Sequence, residues 1–80
     1  MKAVAYTLFA RRQFRKLTPQ DQERIKLAVA RYAEEGVGDV RALKGRSGFR
    51  LRSGSLRVVF TETSEFIEVR AVGDRRDIYR

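Results

Sequence analysis

Between Phe49 and Phe60 the chain reads FRLRSGSLRVVF. Phe49, Leu51, Leu56, Val58 and Phe60 alternate with Arg50, Arg52 and Arg57 around a central Gly54-Ser55 pair. Period-2 alternation of this kind marks strands with one buried face, and a Gly-Ser tip suits a type II′ turn, so the stretch predicts a β-hairpin. Counting outward from the tip sets Ser53 against Leu56, Arg52 against Arg57, Leu51 against Val58 and Phe49 against Phe60. The apolar pairs agree with one another. The same register opposes two arginines directly, an arrangement that is mildly destabilising in a sheet that needs only a solvated face.

A further run, Phe66-Ile67-Glu68-Val69-Arg70-Ala71-Val72-Gly73, continues the pattern after a Thr63-Ser64 turn. Pairing outward from that turn predicts Ile67, Val69 and Ala71 against Phe60, Val58 and Leu56, with Arg70 opposite Arg57. Arg52, Arg57 and Arg70 then form a row across three strands. Guanidinium stays charged and presents a planar fork of donors, so such a row suits phosphate or carboxylate. The competing reading is a solvated basic face partly neutralised by Glu62 and Glu68.

Upstream, Lys2 to Tyr6 predicts a first strand. Thr7 is placed to cap a helix whose apolar side is Leu8, Ala10, Phe14 and Leu17, with Arg11, Arg12, Arg15 and Lys16 outward. Thr18-Pro19-Gln20-Asp21 starts a second helix: a capping hydroxyl, proline at the first helical position and an acid in the first turn. Ile25, Ala28, Val29, Tyr32 and Ala33 form its apolar stripe, and Gly36 stops it. Val37 to Gly48 reads as a connection whose Arg41, Lys44 and Arg46 are loop charges. The order strand, helix, helix, strand, strand, strand predicts a single α+β domain over residues 1–80. The helices pack on one face of an antiparallel sheet and the arginines lie on the other.

The totals bound what that sheet can do. Eighty residues carry 18 basic and 10 acidic side chains, for a net charge of +8. Residues 41–80 hold ten basics and five acids (net +5), and residues 1–40 hold eight and five (net +3), so the excess leans toward the sheet. A strongly basic domain with clustered arginine has the electrostatic footprint of nucleic-acid binding, although an acidic protein partner is drawn by the same field. The chain contains neither cysteine nor histidine, which excludes disulfides, thiolate or imidazole metal sites and a histidine-based triad. No metal or other cofactor is expected. No apolar run approaches a membrane span and no signal-peptide pattern opens the chain, so the expectation is a cytoplasmic protein without membrane attachment. The final segment, Gly73-Asp74-Arg75-Arg76-Asp77-Ile78-Tyr79-Arg80, mixes dense charge with a single tyrosine.

Leu43-Lys44-Gly45, then Phe49 to Phe60, then Val69 to Arg80 together resemble the RelE/ParE toxin superfamily, and the resemblance spans nearly the whole chain. It implies the toxin half of a type II toxin-antitoxin pair with a cognate antitoxin as partner. RelE-like members cut mRNA in the ribosomal A site, whereas ParE-like members poison DNA gyrase. By similarity, Arg57 matches the arginine that contacts the scissile phosphate, Arg75 the arginine after the terminal glycine, and Tyr79 the C-terminal catalytic tyrosine. Arg50 and Arg52 occupy basic strand positions where RelE carries lysines, and with Arg70 they supply phosphate binding.

The resemblance favours a ribosome-dependent mRNA endoribonuclease. In that role Arg57 and Arg75 stabilise phosphate charge, while Tyr79 transfers a proton or stacks on a base. Attack by a 2′-OH needs a group that accepts its proton, and a guanidinium cannot. With lysine absent at positions 50 and 52, the proton-transfer candidates are Tyr79, Asp77, Asp74 and Glu68. That shortage keeps open the alternative of a gyrase inhibitor with no chemistry of its own.

Overall fold

The computed structural model describes residues 1–74. Its elements are β1 (Ala3–Tyr6), α1 (Leu8–Arg15), α2 (Pro19–Glu35), β2 (Asp39–Ala42), β3 (Phe49–Ser53), β4 (Leu56–Glu62) and β5 (Phe66–Asp74). The α+β order is the expected one, with one strand more. β2 falls inside the segment expected to be a connection. Only Val40 among its four residues is partly buried, so it is too short to display an alternation.

The five strands form one sheet in the order β1-β5-β4-β3-β2. β1 runs parallel to β5, and the remaining pairs are antiparallel. The β3–β4 hairpin has the register expected from its alternation, including Arg52 opposite Arg57 and Phe49 opposite Phe60. Within the Gly54-Ser55 turn Gly54 alone has positive φ (62°), as a type II′ turn requires.

The β4–β5 register departs from expectation. Four residues, Thr63 to Phe66, make the turn. The Thr63 hydroxyl accepts hydrogen bonds from the Glu65 and Phe66 amides, and the Thr63 amide donates to the Phe66 carbonyl. The first pair outward is therefore Glu62 with Ile67, and Phe60 meets Val69. A register shift between Val59 and Phe60 then leaves Arg70 without a partner position, so that Val59 meets Ala71, Val58 meets Val72 and Arg57 meets Gly73. The extra residue of a β-bulge reverses the parity of everything beyond it. Ala71, expected in the core, lies on the opposite face, and Val72 takes the buried place.

Both helices begin as their sequences dictate. The Thr7 hydroxyl accepts from the Ala10 amide at 3.1 Å, and the Thr18 hydroxyl accepts from the Asp21 amide at 3.2 Å. Each such cap is worth about 1 kcal/mol. Gly36 ends α2 in the left-handed region at φ 69°, returning its amide to the Tyr32 carbonyl.

The α2 stripe of Ile25, Val29 and Ala33 is buried against Leu51, Val58, Phe60, Ile67, Val69 and Val72. Phe60 is at the centre of an aromatic stack, 5.6 Å from Phe49 and 5.3 Å from Tyr32 between ring centroids. Ala10 and Phe14 of α1 join this core, but Leu8 is 61% exposed and does not. A polar clasp ties the elements at the rim. Lys2 Nζ and Tyr32 Oη each donate to Glu62 at 2.6 Å, linking the N-terminal segment, α2 and β4. Among the described residues no helix is long and apolar enough to cross a membrane.

Candidate functional site

With the helices on one face of the sheet, the other carries the residues of opposite parity. Two ladders cross it: Asp39, Arg52, Arg57 and Gly73, then Arg41, Arg50, Val59 and Ala71. Four arginines thus share a block two residues deep and three strands wide, roughly 7 Å by 10 Å between backbones.

The block differs in membership from the expected row. Arg70, on the bulge of β5, is separated from Arg57 and pairs with Glu68 at 2.8 Å. Arg41 takes its place, on a strand whose four residues gave no pattern. Arg50, Arg52 and Arg57 come together as expected. Arg75 and Tyr79, and with them Asp77, lie outside the described residues. Asp74 is described at the end of β5, opposite Leu56.

Arg57 is unusual within the block. It is only 7% exposed, on the central strand, and it is the one charged side chain among the buried described residues. Its Nη1 donates to the carbonyl oxygens of Gly54 and Leu56, both at 3.1 Å. Its Nε is buried without a hydrogen-bond partner among the described residues. A buried, unsatisfied donor on a charged group costs about 1–3 kcal/mol or more. The partner position of Arg57 on β5 is Gly73, which carries no side chain.

Arg52 is held differently. Its Nε donates to Asp39 Oδ2 at 2.8 Å, and Arg41 approaches the other carboxylate oxygen at 4.0 Å. The hydrogen bond from Arg52, with the charges of Arg52, Arg41 and Arg50, outweighs desolvation and holds the Asp39 carboxyl below its usual range. Asp39, held low in this way, is unfavourably placed to accept a proton, and Glu68 is paired with Arg70. Guanidinium groups clustered in this way suit anionic oxygen chemically.

Two residues on this side carry little signal in the sequence. Arg41, expected as a loop charge, lies on β2 opposite Arg50. Phe9 lies off the apolar stripe of α1, and it stands 62% exposed beside the open face. Its only sequence signal was an aromatic residue out of phase with its helix.

No family model matches the sequence, and no curated protein matches it. Solved structures do match. Similar folds occur in the RelE–RelB complex from Pyrococcus horikoshii OT3 (TM-score 0.77, 19% identity, 95% of this chain and 97% of that one) and in the RelB–RelE antitoxin-toxin complex from Methanococcus jannaschii (TM-score 0.76, 20% identity, 92% and 93%). The RelBE2 toxin-antitoxin complex from Mycobacterium tuberculosis follows, with TM-score 0.65, 24% identity and coverage of 92% and 98%. The resemblance drawn from the sequence therefore holds at the level of architecture: the chain has the RelE-like fold.

Proposed function

We propose that this chain is the toxin of a type II toxin-antitoxin pair and that it inhibits translation by cutting mRNA on the ribosome. The observation that carries the reading is Arg57. It is a buried guanidinium on the central strand of the sheet, with a donor that has no partner among the described residues, and it borders Arg41, Arg50 and Arg52 in one block. Such a block holds a phosphate and stabilises the charge that grows on it as the 2′-oxygen attacks. Arg50, Arg52 and Arg70 bind the flanking backbone. Arg75 adds charge stabilisation and Tyr79 transfers a proton or stacks on a base. The RelE chains of similar fold are found in complexes with RelB antitoxins, which supports an antitoxin as this chain's partner.

The test is primer extension on programmed ribosomes with wild type, Arg57→Ala and a ribosome-free control. A cut in the A-site codon that requires both ribosome and Arg57 is expected. A second reading, a gyrase inhibitor without chemistry, is favoured by one observation: Asp39 and Glu68 on this face are both engaged by arginines. Trapped gyrase cleavage complexes, with no cut mRNA at growth-arresting concentrations, would establish it instead.

A further inference from the structure

β1 stops short of the strand that it pairs with. The parallel ladder ends where Tyr6 meets Val69 and the Thr7 amide donates to the Val69 carbonyl at 2.9 Å, whereas β5 continues to Asp74. Along that remaining stretch one edge of β5 pairs with β4, and the other has no described strand beside it. A buried backbone amide needs a partner, and Val72 is only 1% exposed.

Side chains from the segment that leaves β1 take over. The Thr7 hydroxyl, besides capping α1, donates to the Arg70 carbonyl at 3.4 Å, and Gln13 Oε1 accepts from the Val72 amide at 2.9 Å. The ladder to β1 ends on odd-numbered Val69, while these two contacts use even-numbered Arg70 and Val72. That change of parity is the one an extra residue at Arg70 imposes. Immediately beyond the Gln13 contact, Gly73 and Asp74 stand opposite Arg57 and Leu56, and Arg75 follows in the sequence.

We propose that Gln13 is a positioning residue for RNA cleavage: its amide oxygen stands in for a missing strand and fixes the last rungs of β5, which set Gly73 beside Arg57 and begin the run that carries Arg75 and Tyr79. The inference rests on the function proposed above and deepens it. Gln13 acts here through the β5 backbone and touches no reacting group. Misplacing reacting groups by about 1 Å can cost on the order of 10²-fold in rate, so a side chain that anchors the strand can matter to the reaction from outside it.

Gln13→Met is the test, because methionine keeps the length and helix preference of glutamine and offers only a weak sulfur acceptor. In the folded 80-residue chain, amide hydrogen exchange at Val72, Gly73 and Asp74 should accelerate about tenfold or more, with exchange in β3 unchanged. On programmed ribosomes kcat should fall about tenfold or more with KM unaltered. Gln13→Glu retains the acceptor, so Val72 protection and kcat should stay near wild type while the added negative charge raises KM. Thr18→Ala, which removes the α2 cap, should lower Tm without moving kcat. Gln13→Asn, one methylene shorter, repeats the measurement should Gln13→Met fail to fold.

Unchanged Val72 exchange in Gln13→Met, a loss of kcat no greater than Thr18→Ala shows, or an equal loss of kcat in Gln13→Glu would each overturn the proposal. The exchange measurement needs no ribosome, so its outcome is separable from the function reading. Cleavage by wild type with unchanged exchange in Gln13→Met sinks the positioning role alone. If wild type cuts no mRNA, the function reading falls and the positioning role with it, and accelerated Val72 exchange then assigns Gln13 to the fold only.

Discussion

Arg52 and Arg57 face each other directly across the β3–β4 pair, yet the sheet treats them in opposite ways. Arg52 leans outward onto Asp39, whereas Arg57 folds back over its own hairpin and is buried. The repulsion expected of an opposed pair is relieved by giving one partner a carboxylate and the other two carbonyl oxygens. What remains without a partner among the described residues is the Arg57 Nε; under the proposed function a phosphate oxygen would take that place.

Arg57→Met should therefore separate stability from activity. The variant loses two hydrogen bonds, each worth about 0.5–1.5 kcal/mol, but also removes a buried unsatisfied donor of comparable cost. Replacing buried charge with a well-packed apolar chain is often neutral. The expected Tm lies within about 5 °C of wild type, a shift of roughly 1 kcal/mol in a domain of this size. Ribosome-dependent cleavage should fall about 10²- to 10³-fold, as for loss of one oxyanion donor. A collapse in Tm would make Arg57 a structural group.

The Lys2–Glu62–Tyr32 clasp should give the stability curve a slope at both ends of the pH scale. Burial pushes the Glu62 carboxyl up, but the hydrogen bonds from Lys2 and Tyr32 and the Lys2 charge outweigh it, and the net shift is downward. Its contribution is thus present above the ordinary glutamate pKa and is lost as pH falls through the lower folded value. Burial and the adjacent Glu62 push the Tyr32 phenol up to about 12. That contribution is complete below pH 10 and is lost between pH 10 and about 12. Denaturation midpoints measured across pH should fall at both ends. Glu62→Gln should flatten the acid limb and lower the phenolate titration of Tyr32. An unchanged tyrosine titration would show that the clasp is absent in solution.

Gly54→Ala tests the hairpin tip. The residue sits at φ 62°, a region that costs an L-residue about 1–2 kcal/mol. The added Cβ would also fall 2.6 Å from the Arg24 guanidinium, the flexible end of a side chain that can move away. The expected loss is therefore about 1–2 kcal/mol of unfolding free energy by urea titration, with the m-value unchanged. A neutral result would mean that the turn is not type II′.

Where sequence and structure agree, the cause is local. The hairpin register follows from alternation over five residues on each side of a two-residue turn, and the helix caps follow from Thr7, Thr18, Pro19 and Gly36. Where they part, the cause is non-local. A bulge beside Arg70 has no signature in composition, since one extra residue in β5 matters only against β4. β2 exists because Val40 finds Leu51 and Arg41 finds a place opposite Arg50, neither of which four residues can announce. Phe9 was legible only as an aromatic out of phase. Three arginines of the block are therefore legible in the sequence, whereas Arg41 and the exposed Phe9 beside the open face depend on the fold.

Asp39→Asn should strengthen RNA binding and steepen its salt dependence. The carboxylate now occupies Arg52 at 2.8 Å and lies within 4.0 Å of Arg41, so it competes with phosphate for both. Asparagine keeps an acceptor for the β2–β3 contact while removing the charge. Each phosphate gained on a single strand contributes about −0.7 to the slope of log K against log salt. Fluorescence anisotropy with a labelled single-stranded RNA between about 50 and 200 mM salt should show tighter binding at the low end and a slope steeper by about that amount. Glu35→Gln, which removes the same charge from the end of α2 where it pairs with Arg31, should leave the slope unaltered. If both variants change binding alike, only net charge matters, and the arginine block is not the surface that meets the phosphates.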